Sequence, residues 1–146
     1  MEHKLLLASD GSDNALRAAE FAAGLARMSP EIKVTVLVVN DILEKMKYYS
    51  PLRSSVIFEE VEMFFREKSQ DALDRTLSKF EELKIEVNGV TKVGNPAQVI
   101  VGFARDEGFS QIVIGSRGMG SLKGIVLGSV SSKVVQLAGC PVTIVK

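Results

Sequence analysis

The stretch 4-KLLLASDGSDN-14 sets a short apolar run directly before a turn and the start of a helix. Residues 4–10 show little alternation of polar and apolar side chains, which favours a strand buried on both faces of a sheet. Gly11 opens the turn, and Ser12 or Asp13 can cap the helix that follows. The stretch therefore predicts a strand, a turn and a helix, the first unit of an alternating α/β pattern.

Strands and helices alternate along the rest of the chain. The further predicted strands are 33–40, 85–92, 111–115 and 141–146. The predicted helices run from the first turn to 28-MSP-30, from about Ile57 to Lys84, over 95–108, and for about ten residues from Ser129. Residues 41–56 show no regular pattern and are predicted to be irregular.

Apolar strands separated by helices are typical of a parallel sheet that is covered on both faces. We therefore predict one Rossmann-like domain over residues 1–146, a doubly wound five-stranded parallel sheet of order 3-2-1-4-5. The winding reverses between strands 1 and 4, where ligands bind beyond the carboxyl ends of the strands. The loops at that point are 9–13 and the glycine-rich stretch 115–132, so a ligand site is expected between them.

The composition limits the classes of function. Eighteen basic residues balance eighteen acidic ones, so no overall field favours nucleic acid or an anionic membrane as a partner. Cys140 is the single cysteine, which fits a reducing compartment, and its expected role is that of a small buried residue. No apolar run approaches the length of a membrane helix. We expect a cytoplasmic protein.

The stretch 115-GSRGMGSLKGIVLGSVSS-132 holds five glycines and a run of serines. It contains no phosphate-loop pattern G-x-x-x-x-G-K-[ST] and no dinucleotide pattern G-x-G-x-x-G. Its chemistry still suits an anionic ligand, because glycines allow a backbone to approach phosphate and a helix start at Ser129 offers free amides. Arg117 and Lys123 can add positive charge, and the serines can add hydroxyl donors.

The glycine spacing G-x2-G-x9-G-[ST], formed by Gly115, Gly118, Gly128 and Ser129, resembles the ATP-binding branch of the universal stress protein family. The resemblance covers the whole chain, including the strand that ends at Asp10 and the final PVTIVK strand. It implies a stress-response or signalling protein that binds ATP or another adenine nucleotide, with Mg²⁺ or Mn²⁺ on the phosphates. It also implies a homodimer, and pairing of the apolar edge strand 141–146 would explain it.

The resemblance assigns roles to individual positions. Ala8, Ser9 and Asp10 would contact the adenosine half, and Val39 would contact adenine. Ile114 and Gly115 would form the floor, with Gly118 near the ribose or phosphate. The phosphates would lie against Gly128, Ser129, Val130 and Ser131, and Arg117 is a further candidate for this contact.

Three functional alternatives stay open at this point. The sequence favours a nucleotide-dependent binding or sensing module, since no nucleophile–base pair and no clustered metal ligands accompany the serines. A slow ATPase or another ATP-dependent enzyme is the second alternative, and a nucleotide-free interaction protein is the third. Single residues also have alternatives: Asp10 as a helix cap, His3 as an incidental strand residue, and Lys45, Lys47 and Arg53 as a lid.

Overall fold

The computed structural model describes residues 2–48, 56–117 and 127–146, in which strands and helices alternate. The elements in chain order are β1 (His3–Ala8), α1 (Asp13–Met28), β2 (Ile32–Asn40), α2 (Ile42–Met46), α3 (Val56–Glu81), β3 (Asn88–Val93), α4 (Pro96–Asp106), β4 (Gln111–Gly115), α5 (Ser129–Leu137) and β5 (Val142–Val145).

The five strands form one sheet in the order β3-β2-β1-β4-β5, and every neighbouring pair is parallel. The predicted sheet order and doubly wound fold are therefore confirmed. Strand β1 lies at the centre, paired with β2 on one side and with β4 on the other. The carboxyl ends of β1 and β4, where the winding reverses, lie side by side, with Ala8 opposite Ile114.

Two hydrophobic cores cover the two faces of the sheet. Successive side chains of a strand point to opposite faces, so Leu5 and Leu7 join the core under α1 and α3. Leu6 and Ala8 join the other core, under α4 and α5. The three β1 leucines are completely buried, and each contributes about 1.5–3 kcal/mol by burial of its side chain. This two-sided burial explains the unbroken apolar run in the sequence.

Strand β1 ends at Ala8, two residues before its predicted end. The Ser9 hydroxyl accepts a hydrogen bond from the Gly11 amide (3.1 Å), and the Asp10 carboxylate accepts one from the Ser12 amide (3.0 Å). These local bonds turn the chain out of the sheet, since short polar side chains compete with the ladder for the backbone. Asp10 therefore lies in the loop after the strand.

The segment predicted as irregular contains the short helix α2. Its Ile42 and Met46 are buried one helical turn apart, and the Asn40 side chain accepts a hydrogen bond from the Ile42 amide (3.0 Å). One turn with two buried side chains is too short to produce a periodic signal in the sequence.

The predicted boundary between α3 and β3 was wrong by a few residues. Helix α3 ends at Glu81, and β3 begins at Asn88. Between them Lys84 has a φ of 56°, and the Ile85 amide bonds back to the Phe80 carbonyl (3.0 Å). This tight reversal uses the residues that had been assigned to the helix end and the strand start. No helix within the described ranges is long and apolar enough to cross a membrane.

Candidate functional site

A cleft of about 1150 Å³ opens at the carboxyl ends of β1, β2 and β4. Its volume is slightly above the range found for small-molecule sites, about 300–1000 Å³. The predicted site residues that line it are Ala8, Ser9, Asp10, Val39, Ile114, Gly115, Arg117, Gly128, Ser129, Val130 and Ser131. The remaining predicted site residue, Gly118, lies outside the described residues, as do Gly120, Lys123 and Gly124.

Helix α5 begins at the cleft without a side-chain cap. Its N-cap residue is Gly128, with extended backbone angles (φ −73°, ψ 172°), and within the described residues no side chain caps the helix. The Gly128 amide itself donates to the Ser116 carbonyl (2.7 Å). The first amides of a helix have no partner within the helix and carry its positive dipole end. The amides of Ser129, Val130 and Ser131 are therefore suited to bind an anion.

The loop before α1 is built differently, because side chains bind its amides. Ser12 is the N-cap of α1, and its hydroxyl accepts a hydrogen bond from the Ala15 amide (3.3 Å). The cap is thus one of the two residues proposed from the sequence. Asp10 accepts the amide of Ser12 and so stabilises the turn that precedes the helix. Ser9 is also tied to α3, through a 2.7 Å contact between its hydroxyl and that of Thr76.

Close packing of the backbone requires glycine at two positions, Gly115 at the cleft and Gly11 in the loop after β1. A Cβ atom at Gly115 would lie 2.9 Å from the carbonyl carbon and 3.0 Å from the carbonyl oxygen of Asn14. A Cβ atom at Gly11, whose φ is +76°, would lie 2.9 Å from the Cα of Ala72. The end of β4 therefore packs directly against α1, and the loop after β1 packs directly against α3. Gly115 therefore has a structural role in addition to its position at the floor of the cleft.

Ser116 joins the elements around the cleft and was not among the predicted site residues. It is 2% exposed, and its hydroxyl accepts a hydrogen bond from the Asn14 amide group (3.1 Å). Its carbonyl accepts from the Gly128 amide and from the Ser131 hydroxyl (2.9 Å). Ser116 thereby holds α1 and the start of α5 at the end of β4. The only sequence signal is its position directly after Gly115.

The walls of the cleft include many residues that the sequence reasoning missed. They are contributed by the five helices, the strand ends and the adjoining loops: Ala15, Leu37, Val38, Asp41, Glu44, Phe65, Lys68, Ser69, Ala72, Asn95, Pro96, Ala97, Gln98, Ile100, Leu127, Lys133 and Leu137. The pair Asn95–Pro96 is a helix-start signature and could have located α4 at this edge. Of the lid candidates, Lys45 lines the cleft and Arg53 lies outside the described residues.

Charges of both signs surround the cleft. Lys47 donates a hydrogen bond to Glu44 (2.9 Å), and this contact lowers the pKa of that carboxyl below its usual value. The Lys45 ammonium nitrogen lies 3.9 Å from a carboxylate oxygen of Asp41. Arg117 and Lys133 also line the cleft. In the described part of the chain, no group of three or more His, Cys, Asp or Glu side chains is placed to hold a metal ion.

The sequence analysis gave His3 and Cys140 no role in ligand binding, and neither residue lines the cleft. His3 lies in β1, and its Nε2 is 3.3 Å from the side-chain oxygen of Gln111 on β4. Cys140 is partly buried just before β5, and burial raises the pKa of its thiol.

Comparisons with known proteins give one consistent result. The family model described as the universal stress protein family matches residues 1–146. The chain is 34% identical to the universal stress protein YxiE of Bacillus subtilis, and the alignment covers 100% of both proteins. Its fold matches the solved structure of MJ0577 of Methanocaldococcus jannaschii with a TM-score of 0.81, at 28% identity over 100% of this chain and 96% of that one.

A third similarity is to a solved structure that contains a nucleotide. The universal stress protein of Archaeoglobus fulgidus, in complex with dAMP, matches with a TM-score of 0.68 at 25% identity. This match covers 100% of the present chain and 98% of the other. With the family model matching from end to end, the chain belongs to the universal stress protein family.

Proposed function

We propose that this protein is an adenine-nucleotide-binding module that takes ATP and acts in a cytoplasmic stress response or signalling pathway. The domain spans residues 1–146. The nucleotide lies across the cleft, with its adenosine half at Asp10 and Val39 and its phosphates at the start of α5. Binding of the nucleotide, rather than its turnover, is the proposed activity.

The observation that carries this proposal is the uncapped start of α5 within the cleft. Natural helices are commonly capped by Ser, Thr, Asp or Asn, and a cap occupies the amides that an anion would use. Gly128 leaves that place open and adds no side chain that would exclude a ligand. A phosphate at this position would accept hydrogen bonds from the following amides and meet the positive end of the helix.

The hydrogen bonds of Ser131 and Gly128 indicate which groups at the start of α5 are left for a phosphate. The Ser131 hydroxyl donates to the Ser116 carbonyl and the Gly128 amide donates to the same oxygen. Both groups therefore support the structure of the loop. The proposed phosphate donors are the amides of Ser129, Val130 and Ser131 together with the exposed Ser129 hydroxyl. Arg117 lines the same end of the cleft and adds charge.

The adenosine half of the site rests on the loop after β1 and on the strand ends. Ala8, Ser9 and Asp10 line one side, Val39 lines the end of β2, and Ile114 with Gly115 form the proposed floor. The sequence resemblance adds Gly118 near the ribose or phosphate. The complex of the Archaeoglobus fulgidus relative with dAMP supports an adenine nucleotide as the ligand class.

A divalent cation, Mg²⁺ or Mn²⁺, accompanies ATP in this proposal. Mg²⁺ is commonly held by phosphate oxygens and water with few protein ligands. The carboxylates of Asp10, Asp41 and Glu44 line the cleft and fit a positively charged group there, although they do not form a ligand cluster. The residues of the chain bind and orient the nucleotide, and the ion neutralises part of its charge.

The proposal includes a homodimer formed through the edge of the sheet at β5. Strand β5 pairs with β4 on one side and is the last strand of the sheet order. Its Val142, Ile144 and Val145 are only partly buried. Antiparallel pairing with β5 of a second copy would cover this edge and obey two-fold symmetry. Light scattering at micromolar concentration should give the dimer mass, and a monomer would contradict this part of the proposal.

The decisive experiment is a calorimetric titration of the purified protein with ATP and Mg²⁺. The wild type should bind, and the Gly128→Leu variant should lose binding while keeping its circular dichroism spectrum. Gly139→Leu is the matched control, because a Cβ atom there has nothing within 4 Å and the residue lies outside the cleft. Chromatography of the nucleotides afterwards should show ATP retained without repeated turnover. Absence of binding by the wild type at millimolar ATP would refute the proposed function.

A further inference from the structure

The amino-terminal half of α3 carries apolar side chains that pack on neither core. Residues 57–65 include Ile57, Phe58, Val61, Met63, Phe64 and Phe65. Among the described residues, neither core cluster includes any of them, and the first α3 residue in a cluster is Ala72. At a rise of about 1.5 Å per residue, Phe65 stands about 10 Å along the helix from Ala72. This half of the helix therefore extends past the core.

One face of this extension forms a wall of the cleft. Phe65, Ser69 and Ala72 all line it, and their spacing of four and three residues puts them on one side of the helix. The lower end of that wall is fixed to the loop after β1. Gly11 packs closely on Ala72, and the Ser9 hydroxyl contacts Thr76 one turn further on. The wall therefore rises from the loop that contains Asp10, at the proposed adenosine end.

We propose that Phe65 is the base-stacking residue of the site, with its ring packed against the face of the adenine. This inference rests on the proposed function and names a residue for its base-binding end. Phe65 is half-buried, it faces the cleft, and it belongs to no core. Nucleobases stack on aromatic side chains. The affinity from such stacking comes from contact between the two ring faces and needs no hydrogen bond, so a phenylalanine can provide it.

The neighbours of Phe65 suit this role. The Phe64 ring meets it edge to face, with centroids 5.8 Å apart and an interplanar angle of 80°. This contact restrains the orientation of the Phe65 ring. The Lys68 ammonium lies 5.9 Å from the ring centroid, at the outer limit of a cation–π contact of about 6 Å. A base that stacks on this face replaces only a weak contact.

Affinities for ATP and for tripolyphosphate distinguish a stacking role of Phe65 from a purely structural one. Phe65→Leu keeps the hydrophobicity and removes the ring, so ATP affinity should fall about tenfold, within the range measured for base–aromatic stacking. Phe65→Tyr keeps the ring and should restore affinity. Inorganic tripolyphosphate has no base, so its affinity should be the same for the wild type and both variants. Phe21→Leu is the matched control, because this exposed phenylalanine of α1 does not line the cleft, and it should bind ATP like the wild type.

The chain contains no tryptophan, which allows a direct optical test. Phe65→Trp introduces a single fluorophore on the cleft wall, and Phe64→Trp places one on the neighbouring residue, whose side chain is 61% exposed. With excitation at the red edge of the tryptophan band, where ATP does not absorb, ATP should strongly quench the Phe65→Trp variant. It should leave the Phe64→Trp variant nearly unchanged, and tripolyphosphate should quench neither.

The outcomes separate this inference from the proposed function. If the wild type binds ATP, while Phe65→Leu binds it equally well and Phe65→Trp is not quenched, the stacking role is overturned and the proposed function stands. If tripolyphosphate affinity falls together with ATP affinity in Phe65→Leu, the residue supports the fold and does not contact the base. If the wild type binds no ATP, the proposed function has failed as well.

Discussion

Helices α1 and α5 both begin at the carboxyl edge of the sheet, but their first amides have different partners. Before α1, Asp10 accepts the Ser12 amide, and Ser12 caps the helix by accepting the Ala15 amide. Before α5, Gly128 occupies the cap position and offers no side-chain acceptor. The start of α1 is therefore stabilised by side chains of its own loop, whereas no side chain among the described residues caps the start of α5.

Helix α4 provides a third case that supports this contrast. It begins at the same edge, and the Asn95 side chain accepts a hydrogen bond from the Gln98 amide (3.1 Å). The N-caps of α1 and α4 thus bind a helix amide with their own side chains, and in the short helix α2 at this edge the Ile42 amide donates to the Asn40 side chain instead. Glycine at an N-cap lowers helix stability by only about a few tenths of a kcal/mol relative to Ser, Thr, Asp or Asn. Gly128 therefore leaves the first amides of α5 without a side-chain acceptor at little cost in stability.

The largest predicted effect comes from adding a cap to α5. In Gly128→Asp a carboxylate would accept the first helix amides, and the extended backbone at this position already suits an N-cap residue. Like charges placed together cost several kcal/mol, so ATP affinity should fall about 100-fold or more by calorimetry. Thermal stability should be unchanged or higher. Wild-type affinity in this variant would show that phosphate does not bind at α5.

The second prediction concerns stability at Gly115, where β4 passes the start of α1. Gly115→Ala would force its new methyl group against the Asn14 backbone, so the free energy of unfolding should fall by about 1–3 kcal/mol. Urea denaturation followed by circular dichroism measures this loss. Gly139→Ala is the control, because its Cβ atom meets nothing within 4 Å. Equal stability of the two variants would contradict the close packing.

The third prediction tests the contrast between the two helix starts with one type of substitution. Ser12→Ala removes the α1 cap and should lower the free energy of unfolding by about 1 kcal/mol. Its effect on ATP affinity should be smaller than that of Ser129→Ala. Ser129→Ala at the exposed start of α5 should leave stability within about 0.5 kcal/mol. It should weaken ATP binding about tenfold through loss of a hydrogen bond to a charged group. The opposite pattern would reverse the assignment of the two helices.

The smallest predicted effects belong to the cations beside α5. Arg117→Met and Lys133→Met should each weaken ATP binding about two- to fivefold, since exposed charge pairs contribute about 0.2–1 kcal/mol. The difference from the wild type should shrink as sodium chloride is raised, because salt screens exposed charges. Lys79→Met, whose lysine pairs with Glu20 away from the cleft, is the control. An effect that does not depend on salt would indicate packing instead.

The sheet order could be read from the sequence because each strand carries its own signal. The apolar run 4–10 and the alternation with helices are local patterns, and they depend on burial on both faces of the sheet. The short helix α2 was missed because one turn leaves too little periodicity. The boundary after α3 was misplaced because the chain reverses at Lys84 through a positive φ, and a lysine in the sequence does not predict that backbone conformation.

The sequence by itself determined the fold, the switch point between β1 and β4, and the glycines that border the cleft. Only the tertiary structure decided what each glycine does: Gly115 makes room for α1, while Gly128 leaves the start of α5 uncapped. The tertiary structure also showed that Ser116 joins α1 and α5 and that Phe65 of α3 lines the cleft. These roles depend on contacts such as that of Asn14 with Ser116, which are 102 residues apart in the chain. Local patterns record burial and turns, whereas such contacts exist only once the sheet has brought distant loops together.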